Sequence, residues 1–186
     1  DDGEILVSGE NVMNGYWNDP KATSSTLING WIHTGDIGEM DKEGYLKITD
    51  RKKDIIVNAG GDNISPSRVE EKLNIEPEIA QSMMYGDFKN YLVAILVPDR
   101  DYAQEWAKDH HKEFNLKTLN QDPDFIKMIK ETTQRANKKL SQIEQVRKFL
   151  LIDEEFTVEN DMMTPTLKVR RFKVKEKYQS QLEALY

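Results

Sequence analysis

Cysteine is absent from this 186-residue chain, and histidine occurs only three times. The first absence excludes disulfides, thiolate nucleophiles and cysteine-built zinc sites; the second leaves little for a histidine-built metal centre. Any metal chemistry is therefore expected to arrive with a substrate. Long apolar runs are missing too. None approaches the ~18 residues that a membrane span needs, so no transmembrane segment is expected, although peripheral membrane contact stays open. The chain starts Asp1-Asp2-Gly3 instead of with a basic and then apolar leader, which reads as no signal peptide and a cytoplasmic protein. A basic excess is also lacking: the net charge is −7, which argues against nonspecific nucleic-acid binding.

What is present is an apolar fraction of 38% and a charged fraction of 32%, enough for one globular domain or for one domain plus a piece of another. The charge is unevenly spread. Residues 1–50 hold 10 acids and 3 bases, whereas residues 51–186 hold 23 of each, so a domain junction is expected near Asp50. There is no internal repeat and no low-complexity segment.

Glu4 to Ser8 and Tyr45 to Thr49 read as strands. Between them Gly30-Trp31-Ile32-His33-Thr34-Gly35-Asp36 reads as a loop whose glycines permit close approach of a ligand to the main chain. Asp50-Arg51-Lys52-Lys53-Asp54 reads as a charged linker. A strand at 55–57 and the glycine pair Gly60-Gly61 follow. Ser65 as N-cap and Pro66 at the first helical position then start a helix ending near Asn74. Strands are expected at 79–85 and 91–97, the second apolar enough to be central in its sheet. Helices are expected at 101–109 and 123–140, a strand at 149–152, and a short amphipathic terminal helix marked by Val174, Tyr178, Leu182 and Leu185 after a basic stretch from Lys168 to Lys177. Trp17 and Trp31 read as packing residues, and His110 and His111 as exposed.

Four segments in order resemble the adenylate-forming enzymes, the superfamily of acyl-CoA synthetases, luciferases and peptide-synthetase adenylation domains. They are Gly3–Val7 through Asn14-Gly15-Tyr16-Trp17, Gly30–Asp36, Asp50–Asp54 through Glu70, and Thr164-Pro165-Thr166-Leu167-Lys168-Val169-Arg170-Arg171. The last resembles the long-chain fatty acid branch most. The resemblance implies an α+β architecture: residues 1–50 as the last β-rich segment of a large domain, residues 51–53 as a hinge, and residues 54–186 as a small lid with a three-stranded sheet, helices and a β-hairpin.

It also implies the site. A carboxylate can accept hydrogen bonds from two adjacent ribose hydroxyls, and Asp36 takes that role. Arg51 contacts the same ribose, Lys53 is the hinge, and Gly60 lines the tunnel for the CoA arm. Lys168 stands between the attacking carboxylate and the α-phosphate of ATP, where an ammonium stabilises the meeting of two anions. The alternatives are an Asp36 that serves only its own turn, a solvated Arg51, an ordinary turn glycine at 60 and a Lys168 on a solvated basic face. ATP, Mg²⁺, CoA and a fatty acid are the implied cofactor and partners, with no nucleic acid. The superfamily's phosphate-binding loop, acid pocket and Mg²⁺-engaging glutamate are not found in these residues, so the chain alone is expected to be inactive. A carrier-protein acceptor in place of CoA, and a noncatalytic module keeping the lid fold, are the rival readings.

Overall fold

The computed structural model describes residues 3–186; Asp1 and Asp2, on which the reading of the chain's start rested, lie outside them. The chain divides into two compact units, the first reaching Ile55 and the second spanning Ile56–Tyr186.

The first unit is a four-stranded antiparallel sheet. Its elements are β1 (Glu4–Val7), the helix α1 (Pro20–Thr26), β2 (Leu27–Ile28), β3 (Trp31–Met40) and β4 (Leu46–Arg51), with β3 pairing all three other strands. The 30–36 segment is thus not a loop: from Trp31 onward it is the start of the longest strand. Its backbone donors and acceptors find partners on β1, β2 and β4, and that pairing outweighs the turn propensity of its glycines. α1 was not read from the sequence. It is capped by Asp19, which accepts the Ala22 N–H at 2.8 Å, and Pro20 opens its first turn.

The charged run after Thr49 is not an irregular linker either. Asp50 and Arg51 complete β4, Asp50 is buried, and Lys52–Asp54 form one 3-10 turn. Trp17 and Trp31 do not pack. They are 92% and 47% exposed, because the sheet has no buried apolar layer for them to join among the described residues.

The second unit carries the core. The hairpin β5 (Ile56–Val57) and β6 (Asn63–Ile64) leads into α2 (Pro66–Asn74), where Ser65 accepts the Arg68 N–H at 3.3 Å as the sequence predicts. Strands β7 (Ile79–Tyr85) and β8 (Leu92–Pro98) pair antiparallel. After α3 (Arg100–Asp109), α4 (Leu116–Leu119) and α5 (Pro123–Asn137), strand β9 (Val146–Leu151) returns parallel to β8. Every residue of β8 is buried, as a central strand covered on both faces must be.

Alternation along β8 divides the apolar contacts. Leu92, Ala94 and Leu96 join α2, α3 and α5 through Leu73, Trp106, Phe125 and Ile129, while Val93, Ile95 and Val97 join Phe156 and the last helix, α6 (Arg171–Glu183), through Val174, Tyr178 and Leu182. The basic stretch does not precede α6: from Arg171 on it lies inside the helix, beside a buried stripe of Val174, Tyr178 and Leu182 at i, i+4 spacing. His110 and His111 are exposed, with His110 stacked on Trp106 at 4.0 Å.

Candidate functional site

The sequence-predicted residues fall in three places, one in the first unit and two in the second. In the first unit, β1 and β3 fall out of register between the Leu6↔His33 and Glu4↔Ile37 pairs, so β3 bulges at Thr34, Gly35 and Asp36. Gly35 takes a φ of +70°, a conformation a side chain would strain.

Glu4 organises the bulge. Its carboxylate accepts the Gly35 N–H at 3.0 Å, meets His33 Nδ1 at 3.1 Å and pairs with Lys52 Nζ at 2.9 Å. The Lys52 ammonium first, and His33 after it, hold the Glu4 carboxyl below its ordinary pKa. The Thr34 hydroxyl donates to the Ile5 carbonyl at 2.7 Å and accepts the Asp36 N–H at 3.1 Å.

Asp36 and Arg51 are direct cross-strand partners on β3 and β4. Arg51 Nε lies 2.9 Å from Asp36 Oδ1, and Arg51 Nη1 reaches the Thr34 carbonyl at 3.4 Å. The structure therefore brings the two expected ribose ligands together. A carboxylate held by a guanidinium keeps its second oxygen available for hydroxyl donors. Glu4 and Thr34 were missed as organisers of this place; the acid that opens β1 was their only trace in the sequence.

Gly60 lies in the turn of the β5–β6 hairpin, and Asn58 builds that turn. The Asn58 Oδ1 atom accepts the N–H groups of Gly60 and Asp62, each at 2.9 Å, and its amide donates to Asp62 Oδ2 at 2.9 Å. Gly61, not Gly60, carries the positive φ, +85°. At Gly60 the constraint is proximity: a Cβ would stand 3.2 Å from Asn58 Oδ1. The hairpin is backed by the segment after β7, since the Phe88 N–H donates to the Val57 carbonyl at 2.8 Å and the Ala59 N–H to the Lys89 carbonyl at 2.9 Å.

Lys168 ends a tight turn closed by an antiparallel bridge between Met163 and Val169. The Thr164 N–H donates to the Lys168 carbonyl at 2.9 Å, the Thr164 hydroxyl accepts the Lys168 N–H at 3.1 Å, and Leu167 sits in the left-handed region at φ +59°. Lys168 is exposed, and among the described residues no carboxylate pairs with its ammonium. Among its basic neighbours, Arg170 and Lys173 pair with Asp161, Arg171 with Glu70 and Lys177 with Glu154, whereas Lys175 lies over the Tyr85 ring at 5.2 Å. Among the described residues no group of three or more His, Asp or Glu side chains converges to hold a metal ion, and no helix is long and apolar enough to cross a membrane.

Residues 53–186 match the family described as the AMP-binding enzyme C-terminal domain. The whole chain is 40% identical to a long-chain-fatty-acid–CoA ligase of Mycobacterium tuberculosis and 39% identical to long-chain-fatty-acid–CoA ligase 6 of Homo sapiens, of which it spans 31% and 27%. Among solved structures, the adenylation domain of a carboxylate reductase from Mycobacterium chelonae superposes with a TM-score of 0.83 at 30% identity, covering 99% of this chain and 27% of that one.

Proposed function

Since the chain belongs to the AMP-binding enzyme C-terminal domain family, we propose that the whole protein is an AMP-forming long-chain fatty acid–CoA ligase and that this chain supplies its lid and one edge of its nucleotide site. In the first step a fatty acid carboxylate oxygen attacks the α-phosphorus of ATP, the bond to pyrophosphate breaks, and acyl-AMP forms. In the second the CoA sulfur attacks the acyl carbonyl, AMP leaves and the thiol proton is released. The choice of a long-chain acid and of CoA is supported by the 40% and 39% identities to long-chain-fatty-acid–CoA ligases.

Within the first step Asp36 accepts from the ribose hydroxyls, and Arg51 holds Asp36 in place while offering its remaining donors to the same sugar. Lys168 bridges the two anions as they meet. Mg²⁺ arrives with the nucleotide and screens its phosphates. Gly60 leaves room beside Asn58 for the CoA arm in the second step, and the 51–53 segment, with Lys53 as its pivot, is the hinge between the two steps. The observation that carries this reading is the contrast on the basic stretch. Four cations neighbouring Lys168 are paired with carboxylates and Lys175 lies over the Tyr85 ring, whereas the Lys168 ammonium on the tight turn has neither kind of partner among the described residues.

The test is acid-dependent exchange of labelled pyrophosphate into ATP by the full-length protein, across short, medium and long fatty acids, followed by product formation with CoA and with a phosphopantetheinylated carrier protein. Exchange with long acids and transfer to CoA are expected. Transfer to the carrier alone would replace the acceptor, and a folded protein that exchanges with no acid would turn the reading toward a noncatalytic module.

A further inference from the structure

Two of the segments that carry the family resemblance end on charged residues left so far without a task, Glu70 and Arg171. The structure joins them across 101 positions of sequence. Arg171 Nη1 and Nη2 donate to Glu70 Oε1 and Oε2 at 2.5 and 2.6 Å, a parallel bidentate pair, and Glu70 Oε1 also accepts the Met84 N–H of β7 at 2.7 Å. Glu70 is buried, 8% exposed. A planar fork on a carboxylate fixes angle as well as distance, which a single contact does not.

Arg171 is the first residue of α6 and follows Lys168 by three positions. That end of α6 needs an anion. The helix has no side-chain cap and no acid in its first turn, and it opens with Arg171 and Lys173, cations set against the positive end of the helix dipole. Glu70, delivered by α2, supplies the missing negative charge. Just upstream, the Arg170 N–H donates to the Met162 carbonyl at 2.7 Å and the Arg170 guanidinium pairs with Asp161. The turn bearing Lys168 is thus gripped on both sides of the Met163–Val169 bridge, and the Glu70 grip runs into the buried backbone of the main sheet.

We propose that Glu70, acting through Arg171, is a positioning residue for Lys168. It fixes the start of α6 against α2 and β7, and so sets where the ammonium three residues earlier can reach. A buried ion pair adds little net stability over apolar side chains of the same size. What it provides here is one orientation at the base of an otherwise exposed turn. The proposal rests on the reading of Lys168 as the adenylation lysine.

The test uses the full-length protein with Glu70→Gln, which keeps the size and an acceptor for Met84, and Arg171→Lys, which keeps the charge but loses the fork. Each is expected to lower acid-dependent pyrophosphate exchange about 10- to 100-fold, the scale of a small misplacement of a catalytic group, while thioester formation from supplied acyl-AMP changes little. In a Lys168→Ala background neither change should lower exchange further, because the group being positioned is gone. Additive losses in that background, or equal losses in both half-reactions, would mark a general structural prop and overturn the proposal, as would failure of both variants to fold. Exchange harmed by Lys168→Ala but by neither Glu70→Gln nor Arg171→Lys would sink this proposal alone. Exchange untouched by Lys168→Ala would sink the reading beneath it, and this proposal with it.

Discussion

A single ammonium on an exposed turn is worth little to folding, and that makes Lys168 a clean place to separate chemistry from stability. Its side chain is exposed and holds no carboxylate among the described residues. Lys168→Ala should leave the thermal midpoint nearly where it is and slow adenylation by the full-length protein about 10²–10³-fold, the loss typical of removing one oriented charge donor. Transfer from preformed acyl-AMP should suffer less, and equal loss in both steps would defeat the assignment. Asp36 is a different case, because its carboxylate already has a partner in Arg51 at 2.9 Å. Asp36→Asn weakens both that pair and the acceptor offered to a sugar. Since a hydrogen bond to a charged group contributes about 1.5–3 kcal/mol, we expect the KM for ATP to rise roughly 10- to 100-fold with a smaller change in kcat; steady-state kinetics with ATP varied will show which parameter moves.

Between elements, the ties that hold the second unit together are ionic as well as apolar. Glu76, buried beyond the end of α2, accepts from Arg135 Nε at 3.0 Å and Lys139 Nζ at 2.9 Å, and Arg135 also reaches Glu78 at 2.5 Å. Burial pushes the Glu76 carboxyl up, but hydrogen bonds from Lys139 and Arg135 outweigh it, and its pKa falls below the ordinary 4.5. A carboxyl whose folded pKa is depressed contributes stability that is fully present above its unfolded pKa and is lost as pH falls through the folded one. Acid unfolding should therefore draw on this tie at pH values below about 4.5, and Arg135→Met should flatten that part of a plot of thermal midpoint against pH. At the other end of α2, Ser65→Ala should cost about 1 kcal/mol in denaturant melts.

That cap was legible because its cause is local: Ser65 and Pro66 fix the start of α2 whatever lies beyond, and β7 was bounded correctly by its own apolar run. The Gly30–Asp36 segment was misread because pairing to three strands decides its conformation, and those partners lie as far away as Arg51. The candidate ligands Asp36, Arg51, Gly60 and Lys168 came from motif resemblance. Glu4 beneath the first pair and Glu70 beneath the last are long-range contacts that no window of sequence displays.

For the molecule as a whole, the two units differ in what holds them up. Among the described residues no hydrophobic side chain before Ile56 is buried, whereas the second unit has apolar clusters on both faces of its three-stranded sheet. In the first unit Met40, Tyr45, Leu46 and Ile48 are exposed along β3, β4 and the turn joining them, and Trp17 is 92% exposed. Strand pairing alone is marginal in water, and a sheet needs an apolar layer to persist. Residues 56–186 produced alone should therefore unfold cooperatively, with near-ultraviolet circular dichroism and slow amide exchange in β7 and β8. Residues 1–55 produced alone should show little protection and should bind a hydrophobic dye or self-associate through the exposed face. A cooperative melt from residues 1–55 alone would mean that the Glu4, Asp36, Arg51 and Lys52 network sustains the sheet without an apolar layer. The expected outcome assigns that network the narrower task of shaping the Thr34–Asp36 bulge, with the sheet's stability drawn from apolar cover supplied elsewhere in the full-length protein, of whose curated relatives this chain spans about three tenths.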